Sequence, residues 1–290
     1  MSITQPRSRR LAVALATALT LPLAAACASS SSQEVAVVTP GAAAPEAPPP
    51  TVTPAEDPLA AARAAQAAVA APDRSEADRA LDAGRHPAET FTFFGIRPGM
   101  RVAELGAGGG YTSELLARIV GPKGVVYGNN SPFILERFAQ KPWTERLAKP
   151  VNARVVRLDT PFDAPFPEGF PDAGELDAVV NILFYHDTVW QGVDRAAMNA
   201  AIFAALKPGG IYGIVDHAAR PEDGVAVTQT LHRIAEKAVI DEITAAGFVL
   251  DAEADFLRNP DDPHDWNAAP GASGDRRGTS DRFVLRFRKP

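Results

Sequence analysis

The sequence predicts an α/β fold, a mainly parallel seven-stranded sheet with helices on both faces. Three observations carry that expectation. From about residue 72 onward, short apolar runs alternate with segments whose apolar residues recur every three or four positions, as strands and helices do around a parallel sheet. Pro and Gly stand in "RPGM", "VGPKG", "LKPGG" and "AAGF", where one element stops and the next begins. The number of strand-like runs suits one sheet and hence one domain.

The chain has 290 residues and a net charge of -6, with basic residues scattered except for "RSRR" near its start. Such a distribution lacks the positive patch of a nucleic-acid-binding protein.

Residues 1–27 read as an export signal. Arg7, Arg9 and Arg10 precede "LAVALATALTLPLAAA", and small residues surround Cys27. The apolar run is short and alanine-rich against the roughly 20 apolar residues of a membrane span. Cys27 is the only cysteine, which excludes an internal disulfide. "LAAAC" resembles the lipidation site of bacterial lipoproteins, although Ala24 stands where that motif prefers Leu; cleavage after Ala26 or nearby is the alternative. "SRRLAV" bears a weaker resemblance to a twin-arginine signal. The expectation is an exported, periplasmic protein, lipid-anchored if Cys27 is modified.

Residues 28–58 are dominated by Ala, Pro, Ser, Thr and Val. They bury too little surface to offset ordering entropy and read as a disordered tether. Residues 59–90 read as an N-terminal helical cap, in which "PLAAARAAQAAVAA" has high helix propensity but few large side chains, predicting an isolated or loosely docked helix. The main domain is expected over 91–290. Its strands are "MRVAEL", "GVVYGN", "ARVVRL", "LDAVVNIL", "GIYGIVDH", "FVLDAEADF" and "RFVLRFRK"; its helices include "YTSELLARIV", "PFILERFA", "RAAMNAAIFAAL" and "RIAEKAVIDEITAAG".

The turn after the first strand, "VAELGAGGGYTSELLA", is built for close approach. A dinucleotide-binding turn needs a third glycine where this chain has Tyr111, and no Gly-Lys-Ser/Thr follows as in a phosphate loop. What remains is E-x-G-x-G-x-G, from Glu104, Gly106, Gly108 and Gly110. An acid at the strand end receives a cationic amino group or orders the turn, and the glycines remove the Cβ atoms that would block a ligand.

This pattern resembles the first motif of class I S-adenosylmethionine-dependent methyltransferases. "RVVRLDTPFDAPFP", with Asp159, is similar to their segment after the third strand. "ELDAVVNILFYHD" resembles their fourth strand and "ALKPGGIYGIVD" the turn and fifth strand, so the landmarks cover Phe91 to about His217. "ITAAGFVLDAEA" and "DRFVLRFRKP" extend the likeness to a closing antiparallel strand. Within the class, "RALDAGRHPAETFTFFGIRPGMRVAELGAGGGYTSELLA", "YHD", "DHAA" and "LRNPDDP" resemble a group of uncharacterised predicted bacterial methyltransferases carrying signal peptides.

The resemblance implies a Rossmann-like fold and S-adenosylmethionine as cofactor. It assigns cofactor binding to Glu104, Gly106, Gly108, Gly110, Asn129, Asn130, Asp159 and Asn181. One departure matters: class I enzymes place an acid at the end of the second strand to hold the ribose hydroxyls, whereas this chain has Asn129 and Asn130. Amides make weaker bonds than carboxylates there, or the pair simply forms a turn.

In open α/β sheets ligands lie at the carboxyl ends of the strands, which places "NILFYHD" and "VDH" at the mouth. His186 and His217 stand there beside Asp187 and Asp216, as oriented bases or as strand-end residues bonded to loops. Tyr185 and Asp187 complete the candidate catalytic set. His232 belongs either to a lid or to a surface helix, and His86 to the cap. His264 stands near Asp261, Asp262 and Asp265 without the spacing of a calcium loop, and no metal site is assigned. The functional expectation is an exported or tethered methyltransferase acting on a small molecule; the alternative is a ligand-binding lipoprotein that keeps the fold without turnover.

Overall fold

The computed structural model describes residues 58–170 and 174–290. The expected export signal, Cys27 and nearly all of the tether lie outside the described residues.

The seven expected strands all form: β1 (Arg101–Leu105), β2 (Val125–Asn129), β3 (Val155–Leu158), β4 (Leu176–Ile182), β5 (Leu206–His217), β6 (Val249–Ala254) and β7 (Arg282–Arg288). They make one sheet in the order β3-β2-β1-β4-β5-β7-β6. Neighbours from β3 to β5 run parallel, and β7 runs antiparallel to both β5 and β6. β5 begins earlier than expected, taking in "LKPGG", with a register shift between Leu176 and Ala178 on β4.

The helices are α1 (Pro58–Ala70), α2 (Glu76–Arg85), α3 (Pro87–Phe93), α4 (Tyr111–Val120), α5 (Pro132–Ile134), α6 (Gln140–Leu147), α7 (Tyr185–Trp190), α8 (Arg195–Ala205), α9 (Thr228–Leu231) and α10 (Glu236–Ala245). On one sheet face Val102, Val126, Ala178 and Val180 pack against α1, α3 and α4. On the other, Val179, Tyr212 and Ile214 meet Met198 and Ile202 of α8 and Val239 and Ile243 of α10.

α1 is a correction. It is docked, with Ala61, Ala65 and Ala68 buried on one stripe. Small side chains at this spacing let two backbones approach closely, so a lack of large residues does not leave the helix loose.

Successive strands step outward from β1 in one direction and from β4 in the other, so the chain reverses its order of travel between them. Such a switch point opens a crevice at the strands' carboxyl ends. Leu105 lies opposite Asn129 on β2 and Asn181 on β4, so the strand ends bordering the crevice are level.

Candidate active site

The glycine turn leaves β1 with Gly106, Gly108 and Gly110 at φ of 71°, 54° and 80°, the left-handed region that favours glycine. Their surroundings differ. A Cβ on Gly106 would lie 2.3 Å from Cγ of Phe184, and one on Gly110 would lie 2.5 Å from Cζ3 of Trp143. A Cβ on Gly108 would meet nothing within 4 Å. Gly106 and Gly110 are therefore glycines because aromatic rings of this chain press on them, and Gly108 is the one open to an outside ligand.

Glu104 is buried beneath the turn and accepts a hydrogen bond from Ser113 of α4. Burial raises its carboxyl to about 7, with bonds from Ser113 and Thr112 acting the other way. Of the two roles open to Glu104, ordering the turn fits its position at 3% exposure.

Asn129 and Asn130 correct the expected ribose contacts. Both are fully buried. Asn129 Nδ2 donates to the carbonyl and hydroxyl of Thr160 at 3.0 and 2.8 Å. Asn130 Oδ1 accepts from the Gly108 amide at 2.8 Å while its Nδ2 donates to the Gly108 carbonyl at 3.1 Å. The pair braces the glycine turn and the β3 loop, which is the turn-forming alternative. Asn181 is also buried, beside Tyr212 in the core. Asp159 is nearly half exposed just past β3 and accepts from Arg157 Nε at 2.7 Å.

The candidate catalytic residues separate into two groups. Leu183, at φ of 58°, turns the chain from β4 into α7, where Tyr185 and His186, as successive helical residues, point in different directions. Tyr185 is a correction: it is fully buried, donates to Glu242 at 2.8 Å and accepts from Asn199 at 2.9 Å. Burial, with Tyr212 and Glu242 nearby, pushes its hydroxyl well above the ordinary range. It is a core residue.

His186 is held on three sides. Its Nδ1 lies 2.7 Å from Oδ1 of Asp216, a fully buried carboxylate that also accepts the His186 and His217 backbone amides. Its Nε2 lies 3.2 Å from Nδ1 of His232 and 3.3 Å from Oδ1 of Asp187. Burial alone would favour the neutral ring, but the Asp216 and Asp187 carboxylates outweigh it and raise His186 to about 10. Asp187 also accepts from Trp190 Nε1 at 2.7 Å. Burial works against its charge, yet bonds from His186, His232 and Trp190 hold its carboxyl far below the usual range.

His217, despite standing next to Asp216 in the chain, pairs through Nδ1 with the Ser280 hydroxyl at 2.7 Å. Burial, followed by nearby positive charge, depresses its ring well below the histidine range. It lines a cavity of about 150 Å³ together with Arg85, Leu183, Arg277 and Arg282. Arg85 lies 4.4 Å over the ring of Tyr111, the first residue of α4. Burial lowers the Arg85 guanidinium, with Arg277 adding to that effect, and Arg282 is likewise lowered, to about 10.

Sequence reasoning missed Arg85, Arg146 and the role of Asp216. Arg146 of α6 donates to Asp78 of α2 at 2.5 Å, to Glu114 of α4 at 2.6 Å and to the Gly109 carbonyl at 3.0 Å, tying cap, sheet and glycine turn together. The loop before β7 is packed in place by Arg233, which donates to Asp262 at 2.8 Å in full burial. His264 faces Asp281, and His86 stands in the left-handed region at the start of α3 without a side-chain capping bond.

The strand order with its reversed β7, and a glycine turn at the end of β1, decide the architecture. The fold is that of the class I methyltransferases. Within it, the family model of protein-L-isoaspartate(D-aspartate) O-methyltransferase matches residues 66–147, the span from α1 through the glycine turn to α6. No curated protein shows significant sequence similarity to the chain.

Similar solved structures include an S-adenosylmethionine-dependent methyltransferase from Aquifex aeolicus, at 16% identity over 73% of this chain and 98% of that one, TM-score 0.49. Another from Mesorhizobium loti has 16% identity over 72% of this chain and all of that one, TM-score 0.48. Aeropyrum pernix fibrillarin with natively bound S-adenosyl-L-methionine has 16% identity over 66% and 67% of the two chains, TM-score 0.43.

Proposed function

We propose that this chain binds S-adenosylmethionine against the glycine turn and transfers its methyl group to a small anionic molecule. The observation that carries the reading is Gly108, whose Cβ direction is open while Gly106 and Gly110 are covered by the chain's own rings. Asp159 beyond β3 has an exposed carboxylate suited to an adenine amino group. Full burial counts against a ribose role for Asn129 and Asn130: Gly108 takes both ends of the Asn130 amide and Thr160 takes Nδ2 of Asn129.

When bound, the cofactor supplies an electrophilic methyl group. The chain's own part is to orient the acceptor. Arg85, Arg277 and Arg282 around the cavity favour an anion. In the metal-free chain the Asp216 and Asp187 carboxylates raise His186 above the histidine range and engage its ring nitrogens, which makes it a poor base for a neutral acceptor. An acceptor that arrives as an anion, such as a carboxylate, has no proton to remove, and alignment then accounts for most of the chemistry.

The test is transfer of radiolabelled methyl from S-adenosylmethionine into the small-molecule fraction of a cell extract. Incorporation with the wild type that Gly108→Arg abolishes is the expected result. Label that enters equally with Gly108→Arg would contradict the reading.

A second reading, ligand binding without turnover, is favoured by the committed amides of Asn129 and Asn130. Cofactor binding without methyl transfer to any fraction would select it. We also propose that the chain is exported and tethered through lipidated Cys27, on the strength of its N-terminal sequence. Membrane fractionation of wild type and Cys27→Ser tests this; equal partitioning of the two would contradict the tether.

A further inference from the structure

We propose that His186, Asp187 and His232 form a binding site for a divalent transition-metal ion of the zinc type, with an open fourth position. One atom from each, Nε2 of His186, Oδ1 of Asp187 and Nδ1 of His232, makes a triangle with edges of 3.2, 3.3 and 3.3 Å. A tetrahedral ion with bonds of about 2.0 Å sets its ligands about 3.3 Å apart. The three side chains are thus spaced as one face of such a coordination shell, before any ion is considered.

The surroundings agree with that geometry. Metal-binding imidazoles usually donate their second ring N–H to a carboxylate, which turns the other nitrogen's lone pair toward the ion. His186 Nδ1 meets the buried Asp216 carboxylate at 2.7 Å, leaving Nε2 aimed into the triangle. Trp190 Nε1 donates at 2.7 Å to Asp187 Oδ1 itself, the oxygen at the corner of the triangle, and so fixes its position. Asp187 and Asp216 together supply two negative charges, enough to balance a divalent ion. His232 is held at φ of 49° where α9 ends, a backbone state uncommon outside glycine that directs its ring toward His186.

Nitrogen and carboxylate ligands suit zinc or iron(II), whereas magnesium and calcium take oxygen ligands. Edges near 3.3 Å favour tetrahedral zinc over an octahedral ion, whose neighbouring ligands at bonds of about 2.1 Å lie nearer 3.0 Å apart. His232 and Asp187 side chains are 22% and 20% exposed, so the face opposite His186 is reachable from solvent.

Ion binding is read without any assay of methyl transfer. Chelator-treated protein is titrated with Zn²⁺ by calorimetry, and with Co²⁺ while its visible d–d absorption is recorded. The expected result is one ion per chain, with cobalt bands of tetrahedral intensity. His232→Ala and Asp187→Asn, which change partly exposed side chains, should each abolish binding while circular dichroism stays unchanged. His86→Asn, on a histidine outside the triangle, should bind as wild type does. Asp216→Asn should weaken binding by roughly 10- to 100-fold, as loss of a carboxylate behind a metal-bound histidine does. Absence of stoichiometric binding, or binding that His232→Ala leaves intact, would overturn the proposal and leave a proton shared among the three side chains.

Discussion

Asp216 holds His186, 30 positions away, at 2.7 Å, while its chain neighbour His217 turns to Ser280. The carboxyl end of β5 thus reaches across to the first turn of α7, and one buried carboxylate fixes both the ring and the backbone of His186.

That contact sets a pH signature in metal-free protein. A histidine raised from 6.5 to about 10 binds its proton more tightly in the folded state. Its contribution is full below the unfolded value and declines as pH rises from 6.5 toward 10. Asp216→Asn should lower the His186 titration midpoint, read by NMR of the ring protons, and flatten the stability loss over that window. An unchanged midpoint would separate the two residues.

Glu104 gives the opposite kind of group, an acid whose charge is penalised. Its folded value, raised from 4.5 to about 7 by burial, means that the native state keeps a proton the unfolded chain releases. Stability should therefore fall as pH rises from 4.5 to 7, by roughly 3 kcal/mol for a shift of this size. Glu104→Gln, which cannot ionise, should remove that slope in thermal melts; a parallel slope in the variant would count against it.

The three turn glycines should respond unequally to alanine. At Gly106 and Gly110 the new methyl overlaps Phe184 and Trp143 and the backbone is left-handed, so losses of roughly 2–4 kcal/mol are expected. At Gly108 only the backbone term applies, about 1 kcal/mol. Denaturant unfolding of the three variants checks the ranking.

Arg146→Met should release the cap. It strips the partner from Asp78, whose carboxyl Arg146 holds down to about 2 against the effect of burial, and from Glu114. Removing one member of a largely buried ion network costs roughly 3–5 kcal/mol. Hydrogen exchange should show the loss in α2 and in the glycine turn; protection unchanged in both would refute the linkage.

Strand positions were legible because Val- and Ile-rich runs between Gly and Pro turns suit buried strands, and all seven formed, with β5 starting early through "LKPGG". Side-chain direction was less so. Tyr185 and His186 are neighbours, but on a helix successive residues point about 100° apart; one enters the core and the other the mouth. The His186–His232 contact spans 46 positions, beyond any local motif. Asn129 and Asn130 read as ligands from the resemblance, while their bonds to Thr160 and Gly108 depend on loops that periodicity does not describe. Arg85 and Arg146 carried no motif, since their partners lie on other elements.

The most direct measurement is calorimetric titration of S-adenosylmethionine and S-adenosylhomocysteine into the folded chain, beside Gly108→Arg and Asp159→Ala. Saturable binding to the wild type, abolished by Gly108→Arg and weakened by Asp159→Ala, is the predicted result. Absence of binding to the folded wild type, or binding that both variants retain unchanged, would contradict the account.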